Sequence, residues 1–164
     1  MAKRQGPFWD FVEGRVPGAP ASQLLEWKCL DIDPGEGTVT VQYQAKPDFL
    51  NPAGVVQGGF VAAMLDDAMA PAVFATLEPG QFSPSLELKV NFIQPAKPGT
   101  LIARARVVHR GRSIVFVEGD LKTPEGKLIA TATATHSILT TAKKEVDMGQ
   151  AKRDLVRADS KASA

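Results

Sequence analysis

The sequence predicts an α+β domain in which a curved antiparallel sheet of about six strands wraps around one long central helix. Two observations predict this fold class. Apolar residues recur at steps of three and four from Gly58 to about Leu77 and cover most of that helix, so other structure must enclose it. Two segments before the helix and four after it alternate β-branched or apolar residues with polar ones, as half-buried strands do.

The part of the chain before the helix is predicted to hold a short helix and a hairpin. An aromatic cluster at near-helical spacing in PFWDFVEG, residues 7–14, predicts a short helix lying on the sheet. Residues 24–32 and 38–45 alternate with a period of two and are joined by the turn PGEG, which predicts the first two strands. A loop is expected at residues 46–56.

Four more strands are predicted after the helix, separated by PAKPG, RGR and TPEG. They occupy residues 86–94, 99–110, 113–122 and 126–139. Consecutive antiparallel connections are the simple expectation, giving a four-stranded meander. The domain is expected to span residues 1–139, and the polar, mixed-charge tail at 140–164 is expected to be a frayed helix or disordered.

Composition narrows the class of protein. The chain of 164 residues is 44% hydrophobic, which suits one packed domain, and its formal net charge of +1 gives no overall attraction to nucleic acid or a membrane surface. The single cysteine, Cys29, excludes an internal disulfide and a multi-cysteine metal site. The N-terminus lacks the apolar region of a secretory signal, and no run is as long as a membrane span, so a soluble cytoplasmic protein is expected.

Two segments carry a resemblance to a known family. Residues 51–70 read NPAGVVQGGFVAAMLDDAMA and residues 85–99 read SLELKVNFIQPAKPG. Together with the order of elements they resemble the hotdog-fold thioesterases, most closely the phenylacetate-pathway (PaaI-like) acyl-CoA thioesterases. That family has an Asn, then His-Gly-Gly, then an Asp or Glu two turns along the helix. The matching residues are Asn51, Gln57, Gly58, Gly59 and Asp66, with Gln57 where His is usual.

The resemblance implies hydrolysis of acyl-CoA to a free acid and coenzyme A without a metal or redox cofactor, by a homodimer that pairs again into a homotetramer. The spacing of the motif also predicts a dimer. Asp66 lies eight residues after Gly58, about 12 Å along a helix, so one thioester cannot contact both in one subunit. A two-fold dimer with two equivalent shared sites would bring the two ends together.

The residue types suggest roles at such a site. A helix N-terminus offers free N–H groups, so Gly58 and Gly59 could polarise the thioester carbonyl. Gly59 is favoured if the family's donor follows its His-Gly pair. Two glycines could equally serve tight packing. Asp66 would act as general base or as nucleophile through a mixed anhydride. Asp67 points about 100° away and is expected to be a solvated or helix-pairing residue.

Three polar residues complete the expected catalytic set. Asn51 begins NPAG and is a natural turn former, and the motif match adds a role in holding the attacking water or the leaving thiol. Gln57 would orient the carbonyl or bond across the dimer, because an amide cannot act as acid or base near neutral pH. Ser85 matches a family position close to the acid, and is otherwise an ordinary hydroxyl at a strand edge.

Substrate contacts are expected at a basic hairpin and along the helix. Arg110, Gly111 and Arg112 would meet pantetheine or phosphate groups, although a charged turn is often only solvated. Met64 and Phe82 would shape the acyl pocket. Neither His109 nor His136 has a second ligand at metal spacing, so no metal site is expected.

Two other classes of function remain open. A hotdog hydratase would pair a His with the acid, but neither histidine lies near the Gly-Gly turn in the sequence. An acyl-CoA-binding or ligand-sensing protein without activity is the other alternative, which Gln57 favours and Asp66 opposes.

Overall fold

The structure, a computed structural model, describes residues 6–140. The helices are α1 (Pro7–Val12), α2 (Pro20–Leu24) and α3 (Gly58–Phe74), with a 3-10 turn at Pro47–Phe49. The strands are β1 (Lys28–Asp33), β2 (Thr38–Ala45), β3 (Gln81–Phe82), β4 (Ser85–Phe92), β5 (Gly99–Arg110), β6 (Ile114–Lys122), β7 (Leu128–Ser137) and β8 (Leu139–Thr140). The predicted tail lies outside the described residues except for Thr140, which belongs to β8.

Six strands form one antiparallel sheet in the order β1-β2-β5-β6-β7-β4, and α3 packs against its inner face. The alternation read from the sequence has a direct physical cause here. Val39, Val41, Tyr43 and Ala45 of β2 point toward the helix and are buried, while the residues between them face outward. The predicted fold class, a six-stranded antiparallel sheet around one long helix, is confirmed.

Helix α3 forms the centre of the core. Met64, Leu65 and Met69 have no exposed surface, and the strands β2, β5, β6 and β7 all contact the helix. The predicted short N-terminal helix is confirmed as α1, whose Phe8 ring stacks on Phe74 at the end of α3. Within residues 6–140 no helix combines the length and the hydrophobicity needed to cross a bilayer.

The predicted four-stranded meander is wrong in one connection. Strands β5, β6 and β7 follow one another as expected, but β4 pairs with β7 and lies at the far edge of the sheet. The reason is that β2 already occupies the free side of β5, from the pair Thr38 and Arg106 to the pair Ala45 and Gly99. As a consequence β4 has a strand partner on one side only among residues 6–140.

Two smaller differences concern the ends of the sheet. The first predicted strand, at residues 24–32, begins later, because Pro20 starts the short helix α2 and β1 follows only from Lys28. A second sheet of two short strands, β3 and β8, was not predicted; Gln81 pairs with Thr140 and Phe82 with Leu139. These two-residue strands join the segment after α3 to the end of the described chain.

Candidate active site

The start of α3 presents two backbone donors to solvent. Gln57 is the residue before the helix, and its own N–H donates to the Phe49 carbonyl at 2.8 Å. The first intrahelical bond comes from the N–H of Phe60, which donates to the Gln57 carbonyl at 2.9 Å. Within residues 6–140 the N–H groups of Gly58 and Gly59 have no acceptor. The helix N-terminus therefore has unused donors and a partial positive charge.

The two glycines differ in what surrounds them. A β-carbon on Gly58 would lie 3.3 Å from the Phe92 ring, so the absence of a side chain there serves close packing of α3 on β4. Gly59 is exposed, and a β-carbon on it would meet nothing within 4 Å. Open space next to a free N–H is what a bound carbonyl oxygen requires, and it favours Gly59 over Gly58 as the donor.

Asn51 supports the loop that leads into the helix. Its Oδ1 accepts hydrogen bonds from the N–H groups of Ala53, at 2.9 Å, and Val55, at 3.4 Å. Its backbone N–H also donates to the Val55 carbonyl at 2.9 Å. The predicted role as a turn former is confirmed, whereas a contact with substrate or water stays a prediction. The Gln57 side chain is exposed and does not cap the helix.

Asp66 is held against the sheet edge. The Ser85 hydroxyl of β4 donates to Asp66 Oδ1 at 3.1 Å, and Asp66 itself is half-buried. An irregularity in the β4–β7 pairing between Ser85 and Glu87 explains how Ser85 reaches the helix. In a regular strand Ser85 and Leu88 would point to opposite faces, and the shift of one residue turns both toward α3.

Asp67 is not the solvated residue that the sequence suggested. The Ser22 hydroxyl donates to its Oδ1 at 2.9 Å and the Tyr43 hydroxyl donates to its Oδ2 at 3.1 Å. Burial raises the pKa of Asp67 above its usual value, and the two hydroxyl donors oppose that rise. Burial is also the main reason that the pKa of Tyr43 is well above its usual value, and the neighbouring Asp67 adds to it.

Sequence reasoning missed Ser22 and Tyr43 as partners of this carboxylate. One observation could have found Tyr43: it occupies an inward position in TVTVQYQA, where a buried hydroxyl needs a hydrogen-bond partner. Ser22 carried no such pattern.

The two ends of the predicted site do not converge in one chain. Asp66 follows Gly58 by eight residues on an unbroken helix, a rise of about 12 Å. Beside the glycine end lies an apolar cleft of about 310 Å³, between the helix start and the end of β4. It is lined by Val55, Gly58, Val61, Phe92, Ile93 and Ala96, among others.

Of the predicted substrate contacts, the basic turn lies beside β3, which holds Phe82, and Met64 lies apart from them in the core. Arg110 and Arg112 are exposed at the β5–β6 turn, where Arg110 Nη2 donates to Gln81 Oε1 at 3.2 Å and the N–H of Gly111 donates to the Ile114 carbonyl at 2.9 Å. Phe82 lies on β3 with part of its ring exposed. Met64 has no exposed surface in the single chain. Their roles in binding stay predictions.

The described part of the chain holds one buried histidine and no candidate metal site. His136 is fully buried on β7, paired with Ser85 of β4, and its Nδ1 lies 3.4 Å from the Ser83 carbonyl oxygen. Its Nε2 has no partner among residues 6–140. Those residues also contain no group of three or more His, Cys, Asp or Glu placed to hold a metal ion.

Comparisons with known proteins identify the family to which this chain is similar. The family described as the thioesterase superfamily matches residues 53–130. A candidate thioesterase from Ralstonia eutropha JMP134, described as a phenylacetic acid degradation-related protein, has a solved structure that is 41% identical, with a TM-score of 0.76, over 80% of this chain and 99% of its own. A thioesterase family protein from Silicibacter pomeroyi is 26% identical, with a TM-score of 0.73, over 82% and 99%. A candidate esterase from Saccharolobus solfataricus is 29% identical over 119 residues, which are 73% of this chain and 83% of that protein.

Proposed function

The chain belongs to the thioesterase superfamily and has its hotdog fold, and from that premise we propose that it hydrolyses acyl-CoA thioesters to a free carboxylic acid and coenzyme A. Relatives assigned as esterases and thioesterases indicate a hydrolase. The observation that carries the finer proposal is the Asp66 carboxylate, held by Ser85 at a sheet edge that no other strand of the described residues covers. A carboxylate in that position can serve water activation or direct attack.

The chemistry divides between the start of α3, at Gly59, and its middle, at Asp66. The Gly59 N–H would donate to the thioester oxygen as negative charge develops on it, assisted by the partial charge of the helix N-terminus. Asp66 would either take a proton from water as the water oxygen adds to the carbonyl carbon, or add to that carbon itself. In the first route the carbon–sulfur bond breaks and releases the free acid and the thiolate of coenzyme A, which takes up the proton held by Asp66. In the second route the thiolate leaves as the mixed anhydride of Asp66 forms, and water then hydrolyses the anhydride to the free acid, restores the Asp66 carboxylate and supplies the proton that the thiolate takes up. Gln57, exposed beside the helix start, would orient the carbonyl.

We propose that two subunits build each site, and the free edge of β4 supports this. Several apolar side chains on or next to β4 are exposed in the single chain. They are Leu86 at 60%, Phe92 at 59% and Ile93 at 51%. An apolar edge strand with one side unpaired favours pairing with another strand, and a second copy of β4 satisfies it symmetrically.

The charges on β4 favour one register for that pairing. In a two-fold antiparallel pair centred on Leu88, Glu87 lies opposite Lys89 of the partner subunit, and the pair occurs twice. Centring the pair on Glu87 or on Lys89 instead would place like charges opposite each other. A shift by a single residue would turn the inward face of one strand outward.

This register would also bring the separated parts of the site together. Within one chain Ser85 and Asp66 lie at one end of β4, and Phe92, packed on Gly58, lies at the other end. A two-fold axis at Leu88 places each end of β4 beside the opposite end of the partner strand. The Asp66 of one subunit would then face the helix start of the other, which gives two equivalent sites.

Thiol release from a panel of acyl-CoAs tests the proposed function. We expect turnover by the wild type and a loss of about a hundredfold or more in kcat for Asp66→Asn, as for removal of an acid–base group or nucleophile. Asp48→Asn, at an exposed aspartate in the 3-10 turn, is the matched control and should keep full activity. Binding of acyl-CoA without hydrolysis by the wild type would favour a ligand-binding protein instead.

The two possible roles of Asp66 can be separated by a single turnover in ¹⁸O-labelled water. A nucleophile forms an anhydride, and its hydrolysis can leave the label in the Asp66 peptide, whereas a general base leaves that peptide unlabelled. Mass spectrometry of the peptide distinguishes the two.

A further inference from the structure

The apolar cleft beside the start of α3 has a buried floor and an exposed mouth. Four of its lining residues are 5% exposed or less and form the floor: Val56, Val61, Ala96 and Ile129. Phe92 and Ile93 are 59% and 51% exposed and form the mouth. Phe92 lies against Gly58, so the mouth opens beside the helix start, where the Gly59 N–H has no acceptor among residues 6–140.

The walls of the cleft suit a hydrocarbon group better than an amide. The Val56 N–H donates to the Ala96 carbonyl at 2.9 Å, and the N–H groups of Ile93 and Gln94 donate to the Ile129 carbonyl at 2.9 Å and 3.1 Å. Among the described lining residues only Gln94 has a polar side chain, and Gln94 is exposed. The amides of a pantetheine arm would leave water here for few free donors, whereas a hydrocarbon chain needs none.

The size of the cleft limits what it can hold. Its volume of about 310 Å³ is at the small end of the range of about 300–1,000 Å³ that ligand pockets span. At about 30 Å³ for each water-sized group, it has room for roughly ten such groups, and a methylene is close to that size. A hexadecanoyl chain is too long for it.

The proposed dimer leaves the floor of the cleft free. With β4 paired about Leu88, the residues just before the partner's Ser85 would lie beside Phe92. The partner strand would therefore add a wall at the mouth, on the side from which its Asp66 approaches. The floor belongs to one subunit and remains open to a ligand.

We infer that this cleft is the acyl subsite, that Val61 in its floor sets the length of acyl group accepted, and that the substrates are acyl-CoAs whose acyl group has up to about ten non-hydrogen atoms. The inference rests on the proposed function. Val61 lies about one turn after Gly58 on α3, so a change in its size moves the floor relative to the Gly59 N–H. Met64 and Phe82, which the sequence suggested for the acyl pocket, do not line this cleft.

The test measures kcat/KM for a series from acetyl-CoA to hexadecanoyl-CoA in the wild type, Val61→Leu and Val61→Ala. One methylene in an apolar pocket changes selectivity by about tenfold or more. We expect Val61→Leu to lower kcat/KM for decanoyl-CoA about tenfold and to leave butyryl-CoA within about threefold of the wild type. Val61→Ala deepens the cleft and should raise kcat/KM for dodecanoyl-CoA relative to octanoyl-CoA.

Val73→Ala is the matched control, because Val73 is a fully buried valine about 18 Å further along the same helix. It should lower the melting temperature without changing the chain-length preference. Opposite shifts in the two Val61 variants support the inference, and an equal loss at every length overturns it. A weaker dimer with unchanged preference would assign the cleft to the partner subunit and also overturns it. If Val61→Leu does not fold, Val61→Ala carries the test.

Binding to Asp66→Asn gives a readout that needs no turnover. Calorimetry should show about fourfold tighter binding for each added methylene, up to about ten carbons, and Val61 variants in this background should move that limit. Coenzyme A without an acyl group should bind all of them equally, and a loss of its affinity would place the pantetheine arm in the cleft and overturn the inference. If the wild type hydrolyses no acyl-CoA, the proposed function fails. The binding series then decides separately: a length limit that follows Val61 supports the acyl subsite, and its absence overturns it.

Discussion

The ring of Phe92 lies against Gly58, 3.3 Å from the position that a β-carbon on Gly58 would take, whereas the same position on Gly59 is open. The two consecutive glycines at this helix start therefore have different roles. Gly58 lets α3 pack on β4, and Gly59 leaves open space beside its N–H, where we propose that the thioester oxygen binds.

Substituting valine at each glycine in turn tests these two roles separately. We expect Gly59→Val to lower kcat/KM by about tenfold or more, because its side chain fills the space in which the thioester oxygen would meet the N–H. The melting temperature should stay close to that of the wild type, since no atom of the chain lies within 4 Å of the added β-carbon. Gly58→Val, the matched control, should lower the melting temperature by displacing Phe92. Equal loss of stability in both variants would contradict the distinction.

Mixing two impaired variants tests whether the site is shared. Asp66→Asn and Gly59→Val damage different parts of α3, so a heterodimer of the two would contain one site with both wild-type residues. Random mixing of subunits should restore about a quarter of the wild-type sites. Thiol release after co-refolding measures the recovery. No activity above that of the separate variants would place each site within a single subunit.

The register proposed for the β4 pair predicts a charge-reversal cycle. Glu87→Lys turns two attractive cross-strand pairs into repulsive ones, so the dimer dissociation constant should rise about tenfold. Lys89→Glu should act in the same way, and the double exchange should return the constant to within about threefold of wild type. Analytical ultracentrifugation at low salt gives these values. Additive losses in the double variant would exclude a register centred on Leu88.

The raised pKa of Asp67 predicts a pH dependence of stability. Between the usual aspartate pKa, about 4, and the raised value, the folded protein holds more protons at Asp67 than the unfolded chain does, so stability falls as pH rises through that window. Asp67→Asn has no ionisable group at this position, so its stability lacks this pH dependence. The melting temperature of the wild type relative to Asp67→Asn should therefore decrease from pH 4 to pH 7. Asp48→Asn should follow the wild type, and a constant difference for Asp67→Asn would be evidence against a raised pKa.

The parts of the fold that local patterns determine were predictable. The steps of three and four in residues 58–77 predicted α3, and alternation predicted β2 and the strands that follow the helix. The position of β4 was not predictable, because its pairing with β7 depends on β2 occupying β5, and nothing in the sequence of β4 indicates that competition.

Only part of the candidate site was predictable from the sequence. Asp66 and the two glycines belong to one segment, so a motif is enough to select them. Asp67 stands in the same segment, but its surroundings come from Ser22 and Tyr43, which are 45 and 24 residues away in the chain. Spacing within a helix gives the direction of a side chain and not the residues that it meets.

The strand order also constrains how the chain folds during synthesis. Strand β2 and helix α3 emerge before β5, β6 and β7, and those three strands supply most of the sheet surface that covers the helix. We therefore expect part of the apolar surface of α3 to stay uncovered on the ribosome until residue 137 has left the exit tunnel. During that interval we expect the nascent chain to expose a surface that chaperones for apolar segments can bind, and the time between synthesis of α3 and of β7 would set the length of the exposure.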